Sequence, residues 1–420
     1  MGTILIITFL ACLLIGVPIA FSIAVAGTVV LIVGDVNLLI VVQRLFAASD
    51  SFSLVAIPFF ILAGDLLARG EMSKTLVAFA EGCLGKLKGG LSAVSVLASM
   101  FFAAISGSGA ATTAAVGASM IPELDKRGYE VDRAAALIAS GGCIGVVIPP
   151  SVPMVLYAVI AEQSVTKLFK NGFFPGFMMG GILIAISLYQ AHKLNYPDGR
   201  AFSFKYMIKT LSEAIWALIM PLIILGGIFS GYFTPSEAAG VAVVYSMIAS
   251  MFIYRDLTLK ELGQIMLGSG KTSAVIMTII ACSGVFGWVL ANWQIPEIIA
   301  AGVIAISSNK YIILFLIAVI ILIAGVFMET SSAIILLTPV FLPLIKMLNV
   351  DLIHFGLIFT IGIAIGMITP PVAIDLFVAS SITGMPIERI ASKVVPYLIG
   401  LIIVFFIYIY LPLLIPSIIL

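Results

Sequence analysis

The chain contains 420 residues, of which 62% are hydrophobic and only 10% are charged, and its formal net charge is +1 at pH 7. A soluble domain cannot bury so large an apolar fraction, and the mean hydropathy of +1.25 predicts an all-α protein that crosses a lipid bilayer several times. The near-zero net charge gives no case for a nucleic-acid partner. The sequence also lacks a nucleotide-binding motif and a metal-binding cysteine pattern. We expect a membrane protein that is not an enzyme.

Apolar segments predict membrane-spanning helices along the whole chain. The first, Met1–Val17, has the length of a signal peptide but lacks a basic start and a clean cleavage site, so we interpret it as a helix. The less apolar stretches 71–88 and 257–271 carry charge, and they are either helices at the membrane interface or connecting loops. The predicted spans lie near residues 3–16, 18–34, 54–69, 132–161, 172–190, 213–232, 235–254, 273–293, 354–383 and 396–415.

Residues 90–122 and 311–347 each hold two short apolar arms around a small polar tip. The first tip is Ser106-Gly107-Ser108-Gly109, and the second is Met328-Glu329-Thr330-Ser331-Ser332. The arms of the first hairpin are roughly ten to fifteen residues long, shorter than the roughly 20 residues that a helix needs to cross a bilayer. We therefore predict two re-entrant hairpins.

Two of the predicted spans, 132–161 and 354–383, are broken by proline pairs. Ile148-Pro149-Pro150-Ser151 interrupts the first and Thr369-Pro370-Pro371-Val372 interrupts the second, at an offset of 221 residues. Proline removes a backbone donor and blocks the helical ladder. Matched breaks in two halves of a chain are typical of secondary transporters, whose binding sites lie at broken helices. The same offset relates Pro122 to Pro343, Gly145 to Gly366 and Pro175 to Pro396.

The distribution of lysine and arginine predicts the orientation of the halves. The segment 191–212 is rich in both residues, which places it in the cytoplasm as a linker. On this basis the hairpin at 90–122 opens to the cytoplasm, the hairpin at 311–347 opens outward, and both termini lie outside. An odd number of predicted spans separates the hairpins, so residues 1–190 and 213–420 are predicted to form an inverted-topology repeat, the arrangement used for alternating access.

The tips and breaks place carbonyl, hydroxyl and amide groups at membrane depth. Carbonyl and hydroxyl oxygens suit a small dehydrated cation, and helix N-terminal amides suit a carboxylate. A tip beside a break in each half would make two similar polar sites; the alternative is that the glycines only allow tight helix packing. The predicted cation-binding residues are Ser106, Ser108, Gly145, Val147, Pro150, Gly325, Met328, Gly366, Thr369 and Pro371. The predicted solute-binding residues are Ser108, Thr112, Ser151, Glu329, Thr330 and Asp375.

Acidic residues inside apolar segments are a second signal. Asp375 follows the second break, where it could accept hydrogen bonds from hydroxyl or amide groups of a polyhydroxylated acid, bind the cation, or be paired internally. Glu329 lies in the second tip and has either a ligand or a structural role. Asp65 is four residues before Arg69, which favours an ion pair near a helix end. Glu237 follows Thr234 by three residues and is interpreted as part of a helix cap.

A series of short motifs follows one order along essentially the whole chain. They are Ile57-Pro58-Phe59-Phe60-Ile61-Leu62-Ala63-Gly64, Ser106-Gly107-Ser108-Gly109-Ala110-Ala111-Thr112, Ile148-Pro149-Pro150-Ser151, Phe233-Thr234-Pro235-Ser236-Glu237-Ala238-Ala239 and Thr369-Pro370-Pro371. Their order and spacing resemble the large membrane subunit of TRAP (tripartite ATP-independent periplasmic) transporters. The acid at Asp375 departs from the uncharged residue expected in several members of that family.

The resemblance implies a sodium-driven elevator transporter of bacterial inner membranes. Its expected partners are a separate four-helix membrane subunit and a periplasmic substrate-binding protein, and its expected solutes are organic acids such as C4-dicarboxylates or sialic acid. Sodium ions would be the coupling ions, and no other cofactor is expected. The alternatives are a stand-alone sodium/dicarboxylate symporter and a structural or proton-channel subunit of a respiratory complex. The latter needs intramembrane lysine, glutamate and histidine, which are sparse here.

Overall fold

The computed structural model describes residues 1–67, 71–84, 88–197, 203–306 and 309–414, and the regular structure of these residues is helical. The α-helices there are α1 (Gly2–Leu14), α2 (Ile19–Val33), α3 (Leu39–Ser49), α4 (Ala56–Leu67), α5 (Glu71–Leu84), α6 (Gly90–Ser106), α7 (Gly109–Lys126), α8 (Val131–Gly142), α9 (Val152–Ile160), α10 (Val165–Lys193), α11 (Phe204–Phe229), α12 (Pro235–Ile248), α13 (Leu259–Asn292), α14 (Ile295–Ile306), α15 (Lys310–Phe327), α16 (Thr330–Met347), α17 (Leu352–Gly366), α18 (Ile374–Thr383) and α19 (Ile387–Leu414).

Seven of the described helices are long and apolar enough to cross a membrane, or eight if α3 and α4 count as one span bent by 61°. The seven are α10, α11, α12 with the turn that continues it to Ile253, α13, α15, α16 and α19. Their outward side chains are apolar because lipid replaces water around them. The prediction of an all-α protein with many membrane spans is confirmed.

Both predicted hairpins have a helix–tip–helix structure, but the arms of the first are 17 and 18 residues long, longer than the ten to fifteen predicted. In the first, α6 ends at Gly107, which has a φ of +60° in the left-handed region that favours glycine. Ser108 is extended, and its side chain caps α7 by accepting a hydrogen bond from the amide of Ala111. In the second, Met328 is extended and separates α15 from α16. Each tip therefore ends one helix and starts the next within about two residues.

Both predicted breaks are also present. After α8, a short 3₁₀ turn at Cys143–Val146 leads to the proline pair, and α9 begins beyond Ser151. After α17, the chain is irregular until α18 begins beyond Ala373. The bonds Pro149–Pro150 and Pro370–Pro371 are cis. The same order of hairpin, broken helix and long helix thus occurs twice, ending first in α10 and then in α19.

Some elements differ from the sequence-based expectations. Helices α3 and α14 were not predicted, because at 11 and 12 residues each is shorter than a membrane span. The charged stretch 257–271 is the first part of α13, which is 34 residues long and starts with a capping box between Thr258 and Glu261. Residues 71–84 form α5. The predicted cap at Thr234 is confirmed by a capping box with Glu237 at the start of α12.

The helices pack as two interlocking sets. Helix α13 packs against α2, α3 and α4, and α4 packs against α12. In the other set, α10 packs against α6 of the first hairpin, and α19 packs against α8, α17 and α18 of the broken helices, whereas α16 of the second hairpin also packs against α13. The second arm of each hairpin lies between the two halves, since α7 contacts α8 and α18 while α16 contacts α17 and α9. This packing brings both tips and both breaks to the same region.

Candidate functional site

The two hairpin tips and the two helix breaks border one cavity of about 360 Å³. Helices α4 and α13 close its remaining side with Ile61, Gly64, Asp65, Thr272 and Ile276. Segments more than 200 residues apart in sequence therefore line one cavity. The first tip contributes residues 106–111, the first break Val146, Val152 and Pro153, the second tip residues 329–331, and the second break Met367 and Ile374.

Four helix N-termini meet at this cavity. The first residues of α7, α9, α16 and α18, which are Gly109, Val152, Thr330 and Ile374, all line it. First-turn amides have no partner within their own helix, and the helix dipole adds partial positive charge there. The described lining residues include the carboxylates of Asp65 and Glu329 but no lysine, arginine or histidine. An anion in this cavity would therefore be held by helix ends and bound cations rather than by a basic side chain.

The first tip fits tightly against the first break. A Cβ on Gly145 would lie 2.5 Å from the carbonyl oxygen of Ser108 and 2.5 Å from the hydroxyl of Thr112. A Cβ on Gly107 would lie 2.7 Å from the carbonyl oxygen of Pro150. Only glycine allows these approaches, which gather backbone oxygens from tip and break. Of the predicted cation ligands, Ser106 and Ser108 also line the cavity, whereas Val147 is buried behind it.

The hydroxyls of the first tip are ordered by bonds inside the hairpin. Thr112 donates to the carbonyl oxygen of Ser108 at 2.8 Å, and the hydroxyl oxygens of Ser106 and Thr112 are 2.9 Å apart. Ser151, at the break, donates to the carbonyl oxygen of Val146 at 2.6 Å. Thr112 and Ser151 are fully buried and lie outside the cavity lining, so they support the oxygen-rich wall from behind.

The second tip and break also meet. A Cβ on Gly366 would overlap the backbone of Gly325, so these two glycines bring α17 and α15 into direct backbone contact. Thr330 donates to the sulfur of Met367 at 3.2 Å, and both line the cavity. Glu329 caps α16, and its carboxylate accepts from the amides of Ser331 at 2.9 Å and Ser332 at 3.1 Å.

The two breaks differ in exposure. Pro149 and Pro150 are buried, whereas Pro370, Pro371 and Val372 are exposed. Of the predicted cation ligands in the second half, Met328 and Thr369 are half-buried and Pro371 is exposed, and all three lie outside the cavity lining. The hydroxyl of Thr369 donates to the carbonyl oxygen of Ile365 at 2.9 Å. The break in the second half is therefore more exposed than the break in the first.

Asp375 lies behind the cavity. It is 0% exposed, and within the described part of the chain neither carboxylate oxygen has a hydrogen-bond partner. Its oxygens lie 3.1 Å and 3.3 Å from where a Cβ on Gly109 would be, so the first residue of α7 separates the carboxylate from the cavity. The sequence predicted that Asp375 would face the solute just beyond the second break, whereas the structure places it outside the cavity lining and against the first residue of α7.

The wall formed by α4 and α13 was not predicted from the sequence. Asp65 on α4 accepts a hydrogen bond of 2.6 Å from the hydroxyl of Ser269 on α13. The expected partner of Asp65, Arg69, lies outside the described residues, so that ion pair stays a prediction. The available signal was an acid next to Gly64 in an otherwise apolar helix.

Comparison with known proteins places the chain in a family. The profile described as "Tripartite ATP-independent periplasmic transporter, DctM component" matches residues 6–414. The C4-dicarboxylate TRAP transporter large permease protein DctM of Pseudomonas aeruginosa is 41% identical over 369 residues, which are 88% of this chain and 86% of the relative. The sialic acid TRAP transporter large permease protein SiaM of Vibrio cholerae is 33% identical over 397 residues, covering 94% of this chain and 93% of the relative.

A solved structure supports the fold. The YdaH transporter of Alcanivorax borkumensis, described as having an unusual topology, aligns with a TM-score of 0.65 at 14% sequence identity and covers 90% of this chain and 88% of its own. At this identity the likeness concerns the fold alone. The curated relatives are transporter permeases and not enzymes, and with the membrane spans they make this a multi-pass protein of the inner membrane. The chain belongs to the DctM component family of tripartite ATP-independent periplasmic transporters.

Proposed function

We propose that this chain carries an organic acid across the inner membrane together with sodium ions, by an elevator movement of its hairpins and broken helices. The observation that supports the proposal best is the single cavity bordered by two tips, two breaks and four helix N-termini. Such a cavity offers oxygen ligands for cations and amide groups for an anion at membrane depth, where either would otherwise be strongly disfavoured.

Sodium is the proposed coupling ion because the groups beside the cavity are hard oxygen ligands. In the first half these are the carbonyl oxygens of Ser108 and Pro150 with the hydroxyl of Ser106, next to Gly145 and Val147. In the second half they belong to the segments around Gly325–Met328 and Gly366–Pro371. Carboxylates at Asp65 and Glu329 add negative charge that favours cations.

The proposed solute is a carboxylated organic acid. Its carboxylate would face the N-termini of α7, α9 and α18, beside Ser108 and Thr330, since the Glu329 carboxylate already accepts from the first amides of α16. Bound sodium would supply the positive charge that the described lining side chains do not. C4-dicarboxylates and sialic acid are the two candidate classes, since one relative above is named for each.

The elevator proposal rests on the division of the helices into two packed sets. Residues 1–190 and 213–420 would be inverted repeats, with 191–212 as the linker; α10 extends to Lys193 and α11 begins at Phe204, so helix occupies both ends of that segment. The set that contains the hairpins and broken helices would move against α4, α11, α12 and α13. A small four-helix membrane subunit and a periplasmic binding protein would complete the transporter.

The test is uptake into proteoliposomes that contain this chain and its small subunit, with the binding protein added outside. Radiolabelled succinate and sialic acid are offered in turn, under an inward sodium gradient and without ATP. We expect uptake of at least one solute, and loss of that uptake when potassium or a proton gradient replaces sodium. Full uptake without sodium would refute the coupling, and uptake that requires ATP would refute the secondary mechanism.

A further inference from the structure

We infer that the first hairpin tip packs against Gly64 on α4 when the cavity is closed, and we call this contact surface at Gly64 the seat. The hydrogen bond between Asp65 and Ser269 holds the seat in place. This inference rests on the proposed elevator movement, because the tip would have to leave the seat and return to it in each cycle. Gly64 is thus assigned the role of positioning the first hairpin tip.

The contact between α4 and the tip is made by backbone atoms. A Cβ on Gly64 would lie 2.9 Å from the carbonyl oxygen of Ser106 and 3.2 Å from its Cα. Both residues are buried, and both line the cavity. Backbone atoms cannot rotate away as the end of a flexible side chain can, so any side chain at position 64 would push the tip off the helix.

Hydrogen bonds hold α4 to the helices beside it. Asp65 accepts the 2.6 Å hydrogen bond from Ser269, whose own side chain is only 2% exposed. Next to the start of α4, Ser236 on α12 donates to the carbonyl oxygen of Phe52 at 2.8 Å. These bonds tie α4 to α13 and α12 on both sides of the seat. Because α4 is held by its neighbours, a clash at Gly64 would displace the tip rather than the wall.

The tip, by contrast, contacts Gly64 through close packing of the two backbones. Thr112 donates to the carbonyl oxygen of Ser108, and the hydroxyl of Ser106 donates either to Thr112 or to the same carbonyl oxygen, all within the hairpin. The hairpin can therefore move from α4 with its own hydrogen bonds intact, which keeps the cost of release low. A contact that is close when made and cheap to break suits a surface that opens and closes repeatedly.

The test compares Gly64→Ala and Gly64→Val with Gly268→Ala and Gly268→Val in the full chain with its small subunit. Gly268 is a matched control because it lies on the neighbouring helix α13 and no atom lies within 4 Å of its would-be Cβ. Each variant also carries Ala110→Cys, a half-buried position in the tip that lines the cavity. Maleimide labelling of residue 110 is measured by mass spectrometry, and uptake is measured in proteoliposomes.

We expect Gly64→Ala to raise the labelling rate at residue 110 and to lower the maximal uptake rate, each by about tenfold, since an overpacked contact shifts a two-state equilibrium by about this much. Gly64→Val should have a larger effect, and the Gly268 variants should stay within about twofold of the parent. The melting temperature should change little, because the tip escapes the clash by leaving the seat. Unchanged labelling and uptake in Gly64→Ala would overturn the inference.

The hydrogen bond between Ser269 and Asp65 supplies a second, independent variant. Ser269→Ala alone should loosen the wall and raise labelling at residue 110, and Gly64→Ala with Ser269→Ala should recover part of the uptake that Gly64→Ala loses. A purely local packing defect predicts additive losses instead, and that result would overturn the inference. If the parent takes up no solute under a sodium gradient, the proposed function fails, while the labelling series still decides whether Gly64 seats the tip.

Discussion

Gly366 of α17 packs on Gly325 of α15 so closely that a Cβ on Gly366 would overlap the backbone of its partner. The pair sits where the second hairpin meets the second broken helix, at the same relative place as Gly145 beside Ser108 in the first half. Each half thus uses a glycine in its broken helix to admit the backbone of its hairpin. Backbone oxygens are thereby concentrated at two points beside one cavity.

Replacing Gly366 by alanine should therefore damage transport severely. The added methyl group must separate α15 from α17, at a cost of about 1–3 kcal/mol, and the carbonyl oxygens around the break move with them. We expect sodium-dependent uptake to fall about tenfold or more. Gly287→Ala is the matched control, because Gly287 lies in α13 with nothing within 4 Å of its would-be Cβ. Equal activity of the two variants would argue against the role of this contact.

Ser108→Ala should raise the sodium concentration needed for half-maximal uptake. Ser108 lines the cavity and caps α7, so the change removes a candidate oxygen ligand and a helix cap worth about 1 kcal/mol. Ser203→Ala separates the two effects, since Ser203 caps α11 in the same way, through the amide of Tyr206 at 3.4 Å, and is exposed. The idea fails if both variants keep the sodium dependence of the unmodified chain.

Thr369→Ala should give a weaker form of the same result. Its hydroxyl donates to the carbonyl oxygen of Ile365 at 2.9 Å, and the side chain is half-buried outside the cavity lining. Removing the hydroxyl leaves helix packing almost unchanged but alters the carbonyl group next to Gly366. Sodium titrations of uptake, with normal membrane insertion as the control, measure the effect. A sodium requirement equal to that of the unmodified chain would show that Thr369 only packs.

Asp375→Asn should not reduce stability, and it should change solute affinity more than sodium affinity because the carboxylate lies directly behind Gly109, at the N-terminus of α7 that faces the proposed solute. The buried carboxylate has no hydrogen-bond partner within the described residues, so an amide of the same shape relieves a desolvation cost. Asp132→Asn is the control with the opposite expectation, because buried Asp132 accepts from Arg389 at 3.2 Å. Thermal unfolding and binding titrations of both variants check this. A sodium affinity that falls more than the solute affinity would instead make Asp375 an ion ligand.

Transport should also depend on the binding protein. The described residues outside the helices form short connections, and none of them makes a domain that could capture a dilute solute. We expect negligible uptake of micromolar free solute by this chain with its small subunit, and recovery when the binding protein is added. Robust uptake without the binding protein would favour a stand-alone symporter instead.

The places where helices stop could be predicted from the sequence because glycine and proline act on their own turn of the chain. Gly107 turns the first hairpin through a left-handed φ, and the Pro149-Pro150 and Pro370-Pro371 pairs end helical hydrogen bonding wherever they occur. The apolar composition likewise requires a membrane protein, whatever the packing of its helices. These features need no partner elsewhere in the chain.

The neighbours of those breaks depend on contacts between distant segments. Sequence reasoning expected a separate polar site in each half, whereas helix packing brings both tips and both breaks around one cavity and completes it with Gly64 and Asp65. It also covers Asp375 with Gly109, more than 260 residues earlier in the chain. Local sequence determines where backbone groups are released from helices, and only the tertiary structure decides what they face, because that depends on which helices pack together.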